Sequence, residues 1–157
     1  MRGLIDIYMP DFKYFSSELS GKYSGAPDYC RVATEAVKAM YAQVGKIEFD
    51  SNGLLKKGVI VRHLVLPGCR HDSMKILKTL AQAVPPDNGN ILLSLMNQYT
   101  PDFALDCEYK NLHRKLTSFE YESVLEYAAS LGFEGFCQQR SAASPSYTPD
   151  FGVKEKK

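Results

Sequence analysis

No apolar run in this chain approaches the ~20 residues that a membrane-spanning helix needs, and the N-terminal segment lacks a basic stretch followed by an apolar core. Both absences point to a cytoplasmic protein with no membrane partner. Charge of one sign is lacking too. The formal net charge is +1, which carries no signature of a nucleic-acid or membrane-surface binder. The four cysteines, Cys30, Cys69, Cys107 and Cys137, are scattered, and no pair has the short spacing of a zinc knuckle or an iron–sulfur loop. Reduced, buried thiols are the expectation for such a set in a cytosolic chain. No Ser/His/Asp or Cys/His spacing suggests a nucleophile system, and there is no phosphate-binding loop, internal repeat or low-complexity tract. What remains is ordinary for a globular domain: 157 residues, 45% hydrophobic and 24% charged, long enough to bury about two thirds of the unfolded surface.

Three segments stand out because an apolar strand ends in polar residues: Ile5–Lys13, Gly58–Gly68 and Ile91–Tyr99. Gly58–Gly68 reads as a fully buried strand interrupted by Arg62 and His63, and a buried guanidinium without a partner costs several kcal/mol. Between these strands the pattern predicts helices. Pro27 to Val44 has Val32, Ala33, Ala36, Val37, Met40 and Val44 on one face and Gly45 at its end. A second helix follows Asp72 or Ser73 as cap and carries Met74, Ile76, Leu77, Leu80 and Ala81. A third opens with the Thr117/Glu120 capping box, with Leu116 and Tyr121 as a hydrophobic staple, and runs to Gly132. Ile47 and Phe49, then Asn52-Gly53, then Leu54-Leu55 form a small hairpin, and Phe133 to Cys137 offers a last strand. Apolar strands alternating with amphipathic helices imply an α/β fold with a parallel sheet. The expected architecture is a partial (β/α) barrel fragment of about four parallel strands over residues 1–140, with an extended or disordered tail from 141 to 157.

Parallel sheets place functional groups beyond the carboxyl ends of their strands. Asp11 and Lys13 are two residues apart and share a side of the extended chain. They form either a surface ion pair or a rim that holds a cation and a ligand's carboxylate. Arg62 faces with Ile60 and Leu64, either paired with a structural carboxylate such as Asp11 or aimed at a ligand's carboxylate or peptide. His63 faces the other way and is expected to be a neutral core histidine. Asn97, Gln98 and Tyr99 either cap a loop or hydrogen-bond an adenine, a ribose or a peptide.

Taken together, Tyr8-Met9-Pro10-Asp11-Phe12-Lys13-Tyr14, Val61-Arg62-His63-Leu64-Val65-Leu66-Pro67-Gly68 and Ser94-Leu95-Met96-Asn97-Gln98-Tyr99-Thr100-Pro101 closely resemble, in order and spacing, the second half of radical SAM proteins related to pyruvate formate-lyase activating enzyme. The segments Lys22–Tyr29 and Arg114–Thr117 also match an uncharacterised homologue branch, so the resemblance runs from about residue 4 to residue 151. It implies a partial (β/α) barrel, a 4Fe–4S cluster on a CxxxCxxC loop, and S-adenosylmethionine as cofactor. Cleavage of that cofactor gives a radical that abstracts hydrogen from a protein glycine or another substrate.

The resemblance assigns Asp11 and Lys13 to the cofactor and to a monovalent cation, Leu64 to the cofactor, and Arg62 to the peptide substrate. Tyr99, or Gln98, stands where the family has a histidine at the adenosyl group. The cluster-binding motif is absent, so the expectation is a C-terminal half that needs the missing N-terminal half of the barrel as partner and is inactive alone. A free-standing α/β module for a small anionic ligand and a non-catalytic remnant are the alternatives.

Overall fold

In the computed structural model, which describes residues 3–87, 89–101 and 109–137, the chain is α/β. Its strands are β1 (Ile7–Tyr8), β2 (Glu48–Phe49), β3 (Leu55–Leu64), β4 (Leu92–Met96) and β5 (Gly135–Cys137). The helices are α1 (Ser17–Ser24), α2 (Tyr29–Val44), α3 (Arg70–Ala83) and α4 (Ser118–Ser130), with a 3-10 turn at Lys110–His113. The expected tail at 141–157 and Cys107 fall outside the described residues.

Four strands are parallel and lie across the sheet in the order β1-β3-β4-β5, while β2 pairs antiparallel with the start of β3. Side-chain alternation divides β3 and β4 between two faces. Val59, Val61 and Val65 with Leu93 and Leu95 join Val37 and Val44 of α2, Ile76, Leu77 and Leu80 of α3, and Tyr121, Val124 and Ala128 of α4 in a single buried cluster. These helices therefore cover one face. On the other, Ile60 and Leu92 are buried in mid-sheet, but Ile7, Met9 and Phe136 are exposed.

The hairpin forms as its turn residues dictate. The Asp50 carboxylate accepts from the Asn52 and Leu54 amides at 2.8 and 2.9 Å, an Asx-type brace for the reversal. Its second arm and the Arg62 strand prove to be one continuous strand of ten residues. Gly58 bends this strand at φ 139°, where a methyl group would collide with Ile47. The capping box of α4 is present in full.

One helix has no counterpart in the sequence pattern and one expectation is corrected. Residues 17–24 are helical although SELSGKYS has no apolar stripe; Ser16 caps the start and Gly25 ends it at φ 64°. α3 begins at Arg70, with Cys69 at the N-cap position and no side-chain cap. Asp72 and Ser73 are committed elsewhere: Asp72 accepts from the Phe15 and Ser16 amides, and Ser73 bonds His63.

Candidate functional site

The chain stays extended past β1, so Asp11 lies opposite Arg62 in parallel register. Two backbone bonds hold it there, Arg62 N–H to the Pro10 carbonyl at 2.9 Å and Phe12 N–H to the Arg62 carbonyl at 2.8 Å. Because β3 pairs Arg62 with Ser94 and β4 pairs Ser94 with Phe136, the uncovered face carries the row Asp11, Arg62, Ser94, Phe136. Arg62 Nε donates to Asp11 Oδ1 at 2.8 Å, and Nη2 lies 2.7 Å from the same oxygen as an ion-pair contact. Asp11 Oδ2 is left facing Lys13 Nζ at 3.9 Å.

The guanidinium is 41% exposed and the carboxylate 36%, so the expectation of a fully buried strand is corrected. β3 is buried on its helix-covered side, and Arg62 belongs to the other. Of the two readings of Arg62, the pair with Asp11 is present. It leaves Nη1, Oδ2 and the Lys13 ammonium without hydrogen bonds among the described residues.

His63 faces the helices as expected and is buried. Its Nδ1 lies 2.7 Å from the Phe12 carbonyl and its Nε2 2.8 Å from Ser73 Oγ. A carbonyl only accepts, so the partners assign the proton to Nδ1 and make Nε2 the acceptor of the Ser73 hydroxyl. Burial pushes the imidazole pKa below its ordinary value, against the Phe12 carbonyl and the Asp72 charge, which favour the cation. The Ser73–His63 contact is enclosed, at 1% and 2% exposure, and offers no route to a substrate. Tyr29 secures the neighbouring residues: its hydroxyl accepts from Lys13 N–H at 3.1 Å and donates to the Asp11 carbonyl at 2.9 Å.

The turn after β3 is fastened from α4. Glu120 Oε1 accepts Gly68 N–H at 2.7 Å, both carboxylate oxygens take Arg114 at 2.7 and 2.8 Å, and Oε2 takes the Thr117 amide and hydroxyl. Arg114 and these bonds outweigh burial and hold the carboxyl far below the usual carboxylate range. Asn111 spans from the Pro67 carbonyl to Tyr23. Cys69 sits beside this turn, and burial, with Asp72, pushes its thiol up to about 11. A thiol raised in this way disfavours the thiolate that would act as a nucleophile.

The remaining sequence-predicted residues lie along the same edge. Leu64 is half-buried on the uncovered face, paired with Met96. Gln98 donates to Met96 Sδ at 3.8 Å, and the Tyr99 hydroxyl donates to the Leu112 carbonyl at 2.8 Å, tying down the 3-10 turn. The structure thus joins Asp11, Lys13 and Arg62, while these bonds of Gln98 and Tyr99 run to the end of β4 and to the 3-10 turn. Sequence reasoning gave no site role to Ser94 or Tyr29, and Asp72 and Glu120 entered it only as helix-capping residues. Register alone locates Ser94 beside Arg62; the local signal at Glu120, its capping box, holds, whereas the one at Asp72 pointed to a cap it does not form. Among the described residues no group of three or more His, Cys, Asp or Glu is placed to hold a metal ion, and no helix is long and apolar enough to cross a membrane.

Neither a protein-family model nor a solved structure matches this chain. An uncharacterised protein of Methanocaldococcus jannaschii, MJ0674, is 29% identical over 133 residues, covering 82% of this chain. The chain spans 32% of that relative's length.

Proposed function

We propose that this chain is the C-terminal part of a radical SAM, 4Fe–4S-dependent enzyme resembling pyruvate formate-lyase activating enzyme, acting in the cytoplasm on a protein glycine or another substrate. In this reading the sheet is a segment of a partial (β/α) barrel, and its uncovered face is the barrel interior. The observation that carries the reading is the set of open valences at the carboxyl ends of β1 and β3. Asp11 Oδ2, Lys13 Nζ and the outer edge of Arg62 meet on one uncovered rim. A carboxylate beside two cations suits the amino-acid end of S-adenosylmethionine, which bears an ammonium and a carboxylate. Asp11 and Lys13 would take that end, with a monovalent cation at Asp11, and Arg62 would meet the substrate peptide. Leu64 would lie against the cofactor, and Gln98 or Tyr99 at its adenosyl group.

The described residues do not fit an iron–sulfur cluster: Cys30 and Cys69 are the free cysteines whose side chains are described, and neither belongs to a candidate metal group. The cluster would be held by the N-terminal half of the barrel, and no redox step is assigned to this chain.

The test is a titration of the isotope-labelled chain with S-adenosyl-L-methionine at millimolar concentration. Amide shifts concentrated at Met9–Lys13, Val61–Leu64 and Ser94, lost in Asp11→Ala, are expected. No shift, or shifts elsewhere, would sink the reading. One feature favours a second reading, a free-standing module for a small anion: Asp11 is already engaged by Arg62, and the three groups together leave a net positive charge. Inorganic phosphate moving the same amides while S-adenosylmethionine moves none would select it.

A further inference from the structure

We propose that His63 is a positioning residue for Asp11, gripping the site strand from behind while Arg62 grips it from the front. Consecutive residues of β3 point to opposite faces of the sheet, and consecutive residues of the incoming chain meet them. Arg62 takes the Asp11 carboxylate on the uncovered face, and His63 takes the Phe12 carbonyl on the covered one. Phe12 is itself fully buried, so its carbonyl would be an orphaned acceptor without the imidazole. Ser73 Oγ on Nε2 keeps the proton on Nδ1, the way an outer partner fixes the tautomer of a ligating histidine.

The first turn of α3 thereby braces the site twice, through Ser73 and His63 to Phe12, and through Asp72 directly to the Phe15 and Ser16 amides. Tyr29 adds the lateral tie between the Asp11 carbonyl and Lys13 N–H. Asp11 is consequently fixed before any ligand arrives. Preorganisation of this kind saves the ordering entropy that binding otherwise costs.

The geometric content is independent of the ligand; only its functional weight rests on the reading of Asp11 as a cofactor contact. Two readouts separate them. The first is exchange of the Arg62 Nε–H with water in the labelled chain, which reports its bond to Asp11. His63→Asn retains a donor where Nδ1 stood and should exchange as the unaltered chain does. His63→Leu removes the donor, and loss of one hydrogen bond's worth of order should speed exchange about tenfold, with the Leu93 and Leu95 amides unmoved. His63→Gln, which reaches Ser73 but not Phe12, stands in for the leucine variant if that one fails to fold.

The second readout is affinity for S-adenosyl-L-methionine, expected to weaken about tenfold in His63→Leu and to recover in His63→Asn. Identical Arg62 exchange in all variants overturns the positioning role. Affinity that is equal in all of them overturns its functional weight. An unaltered chain that shows the exchange pattern but does not bind S-adenosylmethionine overturns the cofactor reading and leaves the positioning role standing.

Discussion

Asp11 and Arg62 share a short hydrogen bond and a close ion-pair contact, yet both side chains stay more than a third exposed, and such pairs are worth about 0–1 kcal/mol. Stability is therefore a weak reason for placing a guanidinium in mid-strand. The ionisable groups that matter to folding are the enclosed ones. His63 is held neutral in the fold, with its pKa lowered from 6.5 by burial. As pH falls below that value, the unfolded chain takes up a proton that the folded chain refuses, and stability drops. Glu120 is lowered from 4.5, chiefly by Arg114, so its contribution is complete above that pH and declines as acid titrates the unfolded chain. We expect urea-unfolding free energy to be level around pH 7, to fall through a first window below 6.5, and to fall again below 4.5. His63→Asn should abolish the first decline and Glu120→Gln the second. A single acid transition insensitive to His63→Asn would contradict this account. That Arg62 needs a partner was legible from its apolar neighbours. That the partner is solvated was not, because β-strand alternation says which residues share a face but not whether anything covers it.

At the scale of elements, caps and turns wrote themselves plainly into the chain, and packing without periodicity did not. The Thr117/Glu120 box, the Asx-braced hairpin and Gly45 after α2 were all readable, since each rests on short-range chemistry. α1 was not, because SELSGKYS has no apolar stripe and its helix rests on Ser16, Gly25 and packing beside α2. The Asp72 brace joins residues 56 and 57 apart in sequence, a pairing no local pattern encodes. β5 depends on a residue whose role shows only in three dimensions. Gly135 lies at φ 154° with its α-carbon against β4, and a methyl group there would run into the Leu93 carbonyl oxygen. Backbone cannot yield as a flexible side chain can. Gly135→Ala should therefore destabilise by several kcal/mol or detach β5, in line with the tail of steric substitutions. The measurement is amide protection at Leu93 and Leu95 together with the thermal midpoint. Full protection with an unchanged midpoint would place β5 differently.

The whole molecule is asymmetric: α2, α3 and α4 seal one face of the sheet, and the other shows Ile7, Met9 and Phe136 at 37%, 54% and 57% exposure. In a barrel segment that face would be covered by the remainder of the barrel; alone, it leaves apolar side chains exposed on either side of the Asp11–Arg62 pair, with β1 and β5 at the sheet edges. Exposed apolar patches and unpaired edges drive association. We expect sedimentation velocity of the isolated chain to show mass rising with concentration, and the dye ANS to bind at the uncovered face. Charging the rim tests the cause. Met9→Lys and Phe136→Lys remove apolar surface at exposed positions outside the core cluster, so each should change stability by only about 0.5 kcal/mol while shifting the chain toward monomer. A counterpart on the covered side, Val61→Lys, should unfold it instead, since Val61 is fully buried among three helices. If the unaltered chain stays monomeric and dye-silent at high concentration, the uncovered face is a finished surface. The anion-binding module would then displace the barrel segment as the better reading of Asp11, Lys13 and Arg62.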